Sequence, residues 1–292
     1  MKILVIGNGF LGAPIIQKLE LEGHEVVVFS RKPRLDISAR QIIGDIFNLE
    51  NLVNLLSLSP QVIIQTAWIT EHPNYVDDPK NYKYAEFTRY LASRLSNANV
   101  EHYIVLGSAA EYGKQLAPVS AGITNLTPRN LYAEQKVAAF NAVKMVLSES
   151  KIRFTWVRIF QPYGLGQDEK RLIPYLISAL KQGKKIQLRD SSSILDWVTT
   201  RDIASAISWI IEKSTPLEVD VGTTVGFTNI QLLMHIEDWF GGTSQWEQLV
   251  SQATIGPSML IVGKDSPLIQ SGWSPSDTLK TGLDWILSHE KA

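Results

Sequence analysis

Four apolar residues in a row, Ile3-Leu4-Val5-Ile6, open the pattern of this chain, and a run of that kind suits a strand covered on both faces. Apolar positions then recur at helical spacing, Leu11, Ile15, Ile16 and Leu19, before Val26 to Phe29 returns to a continuous run. The alternation continues with a short strand Ile42 to Ile46, a helix near Leu49 to Leu58 and a strand Val62 to Ala67. A loop from Trp68 to Pro79 leads to a helix reaching about Asn97, a strand Tyr103 to Leu106, a helix from Tyr132 through Leu147 and a strand Phe154 to Ile159. Strands alternating with helices predict an α/β fold built on a doubly wound parallel sheet with right-handed crossovers.

The second half is less regular. A helix carries Leu172, Ile173, Leu176 and Leu180, and Ile186 to Leu188 reads as a short strand. Leu195 to Thr199 and a helix from Asp202 to Ile211 read as a return to the core, after which Val219 to Gly222 and a helix Ile230 to Phe240 resume a smaller part. The expected division is 1–163 for the large domain, 164–193 for the first segment of the smaller part, 194–216 for the return and 217–292 for its second segment. The crevice between the two parts is the natural substrate pocket.

The first turn brings in chemistry. Gly7, Gly9 and Gly12 follow the opening strand directly and lead into a helix, a spacing that suits a dinucleotide. Gly7 permits the tight turn, Gly9 admits a pyrophosphate and Gly12 lets the helix pack close to the strand, while the helix N-terminus favours the negative charge. Phe10 and Leu11, within the loop, belong to the same expected cofactor contact. At the end of the second strand, NAD sites commonly carry an acidic residue for the ribose 2′-hydroxyl; here Ser30, Arg31 and Lys32 stand instead. A guanidinium can bind a 2′-phosphate bidentately, so NADP(H) is favoured, with NAD(H) as the alternative.

Composition narrows the classes of function. The chain has 292 residues, 45% hydrophobic and 20% charged, with a net charge of -1, which argues for a soluble protein and against nucleic acid or an anionic membrane surface as partner. It has no cysteine, excluding disulfides, thiolate metal sites and a cysteine nucleophile, and no metal is expected. No apolar run approaches the roughly 20 residues of a membrane span, and the first strand begins without a leader, so a cytoplasmic location is expected.

Tyr132 and Lys136 are four apart on one helix face, and Ser108 ends a strand 24 positions before Tyr132. With these residues the chain resembles an extended short-chain dehydrogenase/reductase, the Rossmann-fold family of nucleotide-sugar epimerases, dehydratases and reductases. The likeness runs nearly end to end: Gly7 to Gly12, Gly44-Asp45, Ser108 to Gly113, Tyr132 to Lys136, Arg158 to Gly164, Asp196-Trp197-Val198 with Asp202-Ile203-Ala204, and Gly272 to Pro275. The resemblance implies that Asp45 and Ile46 flank the adenine, that Ala67 lies beside the cofactor and that Pro162 lies near the nicotinamide. Lys136 would bind the nicotinamide ribose, and Ser108 and Tyr132 would touch the reacting oxygen. A phenol titrates near ~10 in water, and a neighbouring ammonium would favour its ionised form.

Several positions depart from the family. Many nucleotide-sugar members place an Arg before the Asp196 segment to hold the substrate pyrophosphate; here Leu195 stands there, and Arg189 and Arg201 are the candidate replacements. Gln161 occupies the position of a family Asn and is expected at the substrate, while the family's Asn on the helix after Pro79 aligns with Glu86. Dehydratases carry Asp-Glu after the hydroxyl residue, where this chain has Ala109 and Ala110, so dehydration is disfavoured; Glu111, one place later, is expected to cap or solvate the turn. Members that epimerise next to the carbonyl use a cysteine, and none is present.

The reading that follows is an NADPH-dependent reductase of a ketosugar, a nucleotide-linked 4-keto-6-deoxy sugar being the expected substrate. The alternatives are a 4-epimerase with retained cofactor and, with less support, a non-catalytic NADP-sensing protein. The helices Tyr84 to Leu95 and Tyr132 to Leu147 carry apolar residues on more than one face, which with the resemblance predicts a homodimer through these helices.

Overall fold

The computed structural model describes residues 1–71, 74–95, 98–188, 190–213, 215–242, 246–248 and 258–289. The first half comprises β1 (Lys2–Ile6), α1 (Gly12–Leu21), β2 (Glu25–Ser30), β3 (Arg40–Ile43), α2 (Leu49–Leu56), β4 (Val62–Gln65), α3 (Lys80–Leu95), β5 (His102–Ser108), α4 (Leu131–Val146) and β6 (Arg153–Ile159). The second half comprises β7 (Gln161–Tyr163), α5 (Leu172–Lys181), β8 (Ile186–Leu188), β9 (Ile194–Thr199), α6 (Thr200–Glu212), β10 (Glu218–Val221), β11 (Gly226–Thr228), α7 (Asn229–Phe240), β12 (Trp246–Gln248), β13 (Met259–Leu260), α8 (Pro267–Gln270) and α9 (Leu279–His289).

A seven-stranded parallel sheet in the order β10-β6-β5-β4-β1-β2-β3 forms the centre. Ile3, Val5 and Ile6 have no exposed surface, because helices cover both sides of their strand. Ile15 and Ile16 of α1 share one apolar cluster with Ile207 of α6; Leu91 of α3 shares the other with Phe140 and Val143 of α4. Each fully buried aliphatic side chain of this kind contributes roughly 1.5–3 kcal/mol, which is why continuous apolar strands demand two helical layers. The strand order reverses between β1 and β4, and a crevice opens at their carboxyl ends.

Three boundaries differ from the sequence expectation. The third strand stops at Ile43 rather than Ile46: the Gly44 N–H still bonds to Ser30 O of β2, and the Asp45 carboxylate then accepts from Phe47 N–H in a turn. Residues 218–221, expected in the smaller part, form the β10 edge strand of the large sheet, paired with β6. Only half of segment 194–216 returns to the large domain: α6 packs against α1, whereas β9 pairs with β7, β11 and β13 in a second sheet. Helices α5, α7 and α9 gather around Leu176, Leu232 and Leu283 to complete the smaller part, and β8 pairs with β12 beside it. None of the described helices is long and apolar enough to cross a membrane.

Candidate active site

The glycine loop is a main-chain construction. Gly7 has φ +109°, a conformation that side-chain-bearing residues rarely adopt, and a Cβ there would lie 2.5 Å from Thr66 Oγ1. A Cβ on Gly12 would overlap the Gly7 carbonyl oxygen. Gly9 differs, having nothing within 4 Å of its Cβ direction, so the space above it is open. Helix α1 begins after Leu11 with no side-chain cap and no acidic residue in its first turn, so the positive end of its dipole meets no carboxylate of its own; Ala13 N–H already donates to Gly9 O at 3.0 Å and Pro14 has no N–H. These features fit the diphosphate of a dinucleotide. Phe10 is half-buried at the surface of the loop, and Leu11 packs against the apolar core beneath it.

The residues expected at the adenosine lie at the ends of β2 and β3. Ser30 Oγ and Asn8 Nδ2 both donate to Lys32 O, at 2.9 and 2.8 Å, tying the end of β2 to the glycine loop. Arg31 and Lys32 are exposed, and Arg31 lines a small cleft of about 70 Å³ with Trp68, Glu71, Lys80 and Tyr84. Asp45 is exposed at the exit of β3 and Ile46 is half-buried beside it. Ala67, whose N–H donates to Ile6 O at 2.9 Å, sits half-buried beside the glycine loop.

Ser108, Tyr132 and Lys136 come together at the carboxyl end of β5. Asn130 starts α4 by accepting from Ala133 N–H at 2.9 Å, and the helix turns Tyr132 and Lys136 inward as a pair, 9% and 3% exposed. Lys136 Nζ donates to Leu106 O at 2.6 Å, two residues before Ser108, and lies 3.8 Å from the centre of the Trp68 ring. Burial pushes the ammonium down to about 7, against which Glu111 acts to raise it. The Tyr132 phenol is held well above its ordinary value by burial and by Tyr75, with Ser108 and Arg171 acting to lower it. Burial thus acts on Tyr132 in the opposite direction to the ammonium effect that the sequence suggested.

Residues that sequence patterns passed over close this end. Trp68 stacks on Tyr84, donates from Nε1 to Asn81 at 2.8 Å and meets Tyr132 edge-on. The Tyr75 ring lies edge-on to Tyr132 at 5.0 Å. Arg171, at the head of α5, stacks over Tyr75 and donates to Thr70 O at 3.2 Å, joining the smaller part to the loop before α3. A tryptophan directly after the small pair Thr66-Ala67 was the available signal. Glu111 caps the turn after β5 as expected, but from inside: it is fully buried and pairs with Arg158, so it solvates nothing.

Pro162 and Gln161 lie half-buried on β7, with Pro162 O held by Gln167 Nε2 at 2.9 Å. Arg201 is committed elsewhere, bound to Asp277 at 2.7 Å and stacked over Trp285. Arg189 lies outside the described residues. Glu86 sits on the exposed side of α3, so it cannot support the active site; Asn81 and Tyr84 are the α3 residues that face it.

A family model described as the NAD dependent epimerase/dehydratase family matches residues 3–222. The chain belongs to this family. It is an enzyme of the extended short-chain dehydrogenase/reductase type and uses a nicotinamide cofactor. Among curated relatives it is 28% identical over 249 residues to GDP-6-deoxy-D-talose 4-dehydrogenase from Aggregatibacter actinomycetemcomitans, covering 80% of this chain and 78% of the relative. It is 25% identical over 315 residues to a putative GDP-L-fucose synthase 2 of Arabidopsis thaliana, covering 99% and 92%. The fold matches UDP-glucose 4-epimerase of Thermus thermophilus in complex with NAD, with TM-score 0.88, 19% identity and coverage of 100% and 99%. It also matches dTDP-glucose 4,6-dehydratase of Bacillus anthracis in complex with NAD, with TM-score 0.85, 21% identity and coverage of 100% and 97%.

Proposed function

We propose that this family member is an NADPH-dependent reductase of a 4-keto-6-deoxy sugar carried on a nucleotide. The observation that carries this reading is the meeting of Ser108, Tyr132 and Lys136 at the end of β5, followed by Ala109 and Ala110, which offer no acid and base for removing water. The relative whose name specifies oxidation at C4 of a GDP-linked 6-deoxy sugar supports the same carbon and substrate class, read in the reverse direction. NADPH supplies a hydride to the carbonyl carbon. Tyr132 donates its proton to the carbonyl oxygen, Ser108 Oγ–H donates a second hydrogen bond to that oxygen, and Lys136 holds the nicotinamide ribose.

The surrounding groups have distinct tasks in this reading. Gly7, Gly9 and Gly12 seat the pyrophosphate, Arg31 with Lys32 takes the 2′-phosphate, and Asp45 and Ile46 flank the adenine. Arg171 is the cation best placed for the pyrophosphate of the sugar nucleotide, because it already reaches across the crevice beside Tyr132. Gln161 faces the sugar from β7.

We place the enzyme in the cytoplasm, where NADPH and nucleotide sugars are available, and as a homodimer across the outer faces of α3 and α4. Most apolar side chains of these helices are used within one chain, and what remains outside includes Val137, Ala138, Ala142 and Met145 of α4, the last 72% exposed, and Tyr82 of α3, 57% exposed. Mass spectrometry and absorbance of the purified protein test the main reading. A site free of nucleotide that takes up NADPH supports it; tightly retained NAD⁺ or NADP⁺ replaces it with a 4-epimerase.

A further inference from the structure

Behind the reacting residues lies a carboxylate to which the reaction assigns no role. Glu111 has no exposed surface, and three donors converge on it: Ser108 N–H at 2.7 Å, Trp156 Nε1–H at 3.0 and 3.1 Å, and Arg158 Nε–H at 2.7 Å. Every partner donates, which suits the ionised, acceptor-only form; burial raises this carboxyl above its ordinary value, and Arg158, the Ser108 N–H and Lys136 act to lower it. Gly107 shows how close the carboxylate lies to the backbone, since a Cβ there would stand 2.7 Å from Glu111 Oε1 and overlap Trp156 Nε1. The residues on either side of Gly107 are functional: Leu106 O receives the Lys136 ammonium and Ser108 carries the hydroxyl.

We propose that Glu111 is a positioning residue for the reduction, holding the Ser108 main chain from below and supplying the countercharge that keeps the Lys136 ammonium charged in a buried site. This rests on the reductase reading of Ser108, Tyr132 and Lys136. Glu111 is faced by Arg158 from β6, by Lys136 and Tyr132 from α4, by Tyr112 from its own turn and by Asp220 from β10. Glu218 takes the far side of Arg158 at 2.6 Å, and the rings of Tyr112 and of Phe140, the latter from α4, flank that guanidinium. Among the described residues, the charge that acts on Lys136 is Glu111; Leu106 O accepts from its ammonium, and the rings of Trp68, Trp156 and Tyr132 lie around it. An ion pair that merely braced β5 against β6 would leave the titration of Lys136 unchanged.

The sign follows from the charges. Lys136 binds ribose hydroxyls as an ammonium, so NADPH affinity falls as pH rises through its pKa, and removing a neighbouring negative charge lowers that pKa. In Glu111→Gln the midpoint of NADPH affinity against pH, measured by titration calorimetry, should move toward acid by about one unit, and the alkaline limb of kcat should move with it. Gln leaves Arg158 facing an amide; the double variant Glu111→Gln with Arg158→Met removes both charges of the pair, so its midpoint should lie between that of Glu111→Gln and that of the wild type. A midpoint equal to that of the wild type in folded Glu111→Gln, or a double variant whose midpoint moves further toward acid than that of the single variant, overturns the role and leaves Glu111 as a brace. Wild-type protein that binds no NADPH at any pH instead overturns the reductase reading on which the role depends.

Discussion

At the Gly7–Gly12 loop the proposed cofactor surface is main chain, fixed by one positive φ and two close backbone approaches, whereas at Ser108, Tyr132 and Lys136 it is side chain, packed under Trp68 and Tyr75 from a different part of the chain. The first end is shaped before any ligand arrives. The second holds its reacting groups dry and in contact with each other, and a ligand must enter among them. Binding and chemistry therefore depend on different kinds of residue, and substitutions can separate them.

The widest separation is expected from Tyr132→Phe. It removes the proton donor and keeps the ring against Tyr75, so turnover should fall by about 10²- to 10⁴-fold while NADPH affinity stays near the wild-type value. Unchanged turnover on a ketosugar that the wild type reduces would remove Tyr132 from the reaction.

Two glycines sharpen the other side of the comparison. Gly9→Ala adds a methyl group where the protein has nothing within 4 Å, so thermal stability should hold while NADPH affinity drops roughly 10²-fold, the worth of about two charge-assisted hydrogen bonds. Gly7→Ala should do the reverse in stability, costing about 1–3 kcal/mol in a denaturant titration because of its φ and the clash with Thr66. Equal melting temperatures for the two variants would show that the loop is not shaped as described.

Cofactor choice is a smaller effect at the same end. Arg31→Ala should weaken NADPH binding by roughly 1.5–3 kcal/mol and leave NADH almost unaffected. Glu71 shares the cleft with Arg31, so the guanidinium works beside a carboxylate and the lower part of that range is expected. Equal losses for the two cofactors would show that Arg31 does not bind the 2′-phosphate.

The two ends are also unequally legible in the sequence. Glycine spacing after an apolar strand encodes a backbone shape locally, so the loop, the parallel sheet and the Tyr132–Lys136 helix face can all be read from short stretches. The cover over Lys136 cannot, because Trp68, Tyr75 and Arg171 meet only in three dimensions. Glu111 and Arg158 show the same limit. Arg158 interrupts the apolar strand Phe154 to Ile159, and a charge on a buried strand demands a partner, yet only the fold identifies Glu111 and Glu218 as that partner. Strand β10 departs from the sequence expectation for a related reason: Val219 to Val221 suits either sheet, and the pairing with β6 is decided by tertiary contact.

Trp68 gives the most delicate test of the contrast between the two ends. Its ring covers the Lys136 ammonium at 3.8 Å in a dry site, a contact worth up to about 2 kcal/mol, and its indole N–H is satisfied by Asn81. Lys136 can hold a ribose only if the indole gives up part of that contact. Trp68→Ala should therefore raise NADPH affinity by roughly 3- to 30-fold by calorimetry, the range set by that contact energy. The same change should lower stability by about 3–5 kcal/mol, because a buried ring is replaced by a cavity against Tyr84 and Tyr132. Tighter binding by a less stable protein is an unusual pairing of signs, and general damage to the fold would not produce it. Weaker binding in Trp68→Ala would mean that the indole supports the cofactor rather than competing with it, and the catalytic end would then be as ready for its ligand as the glycine loop.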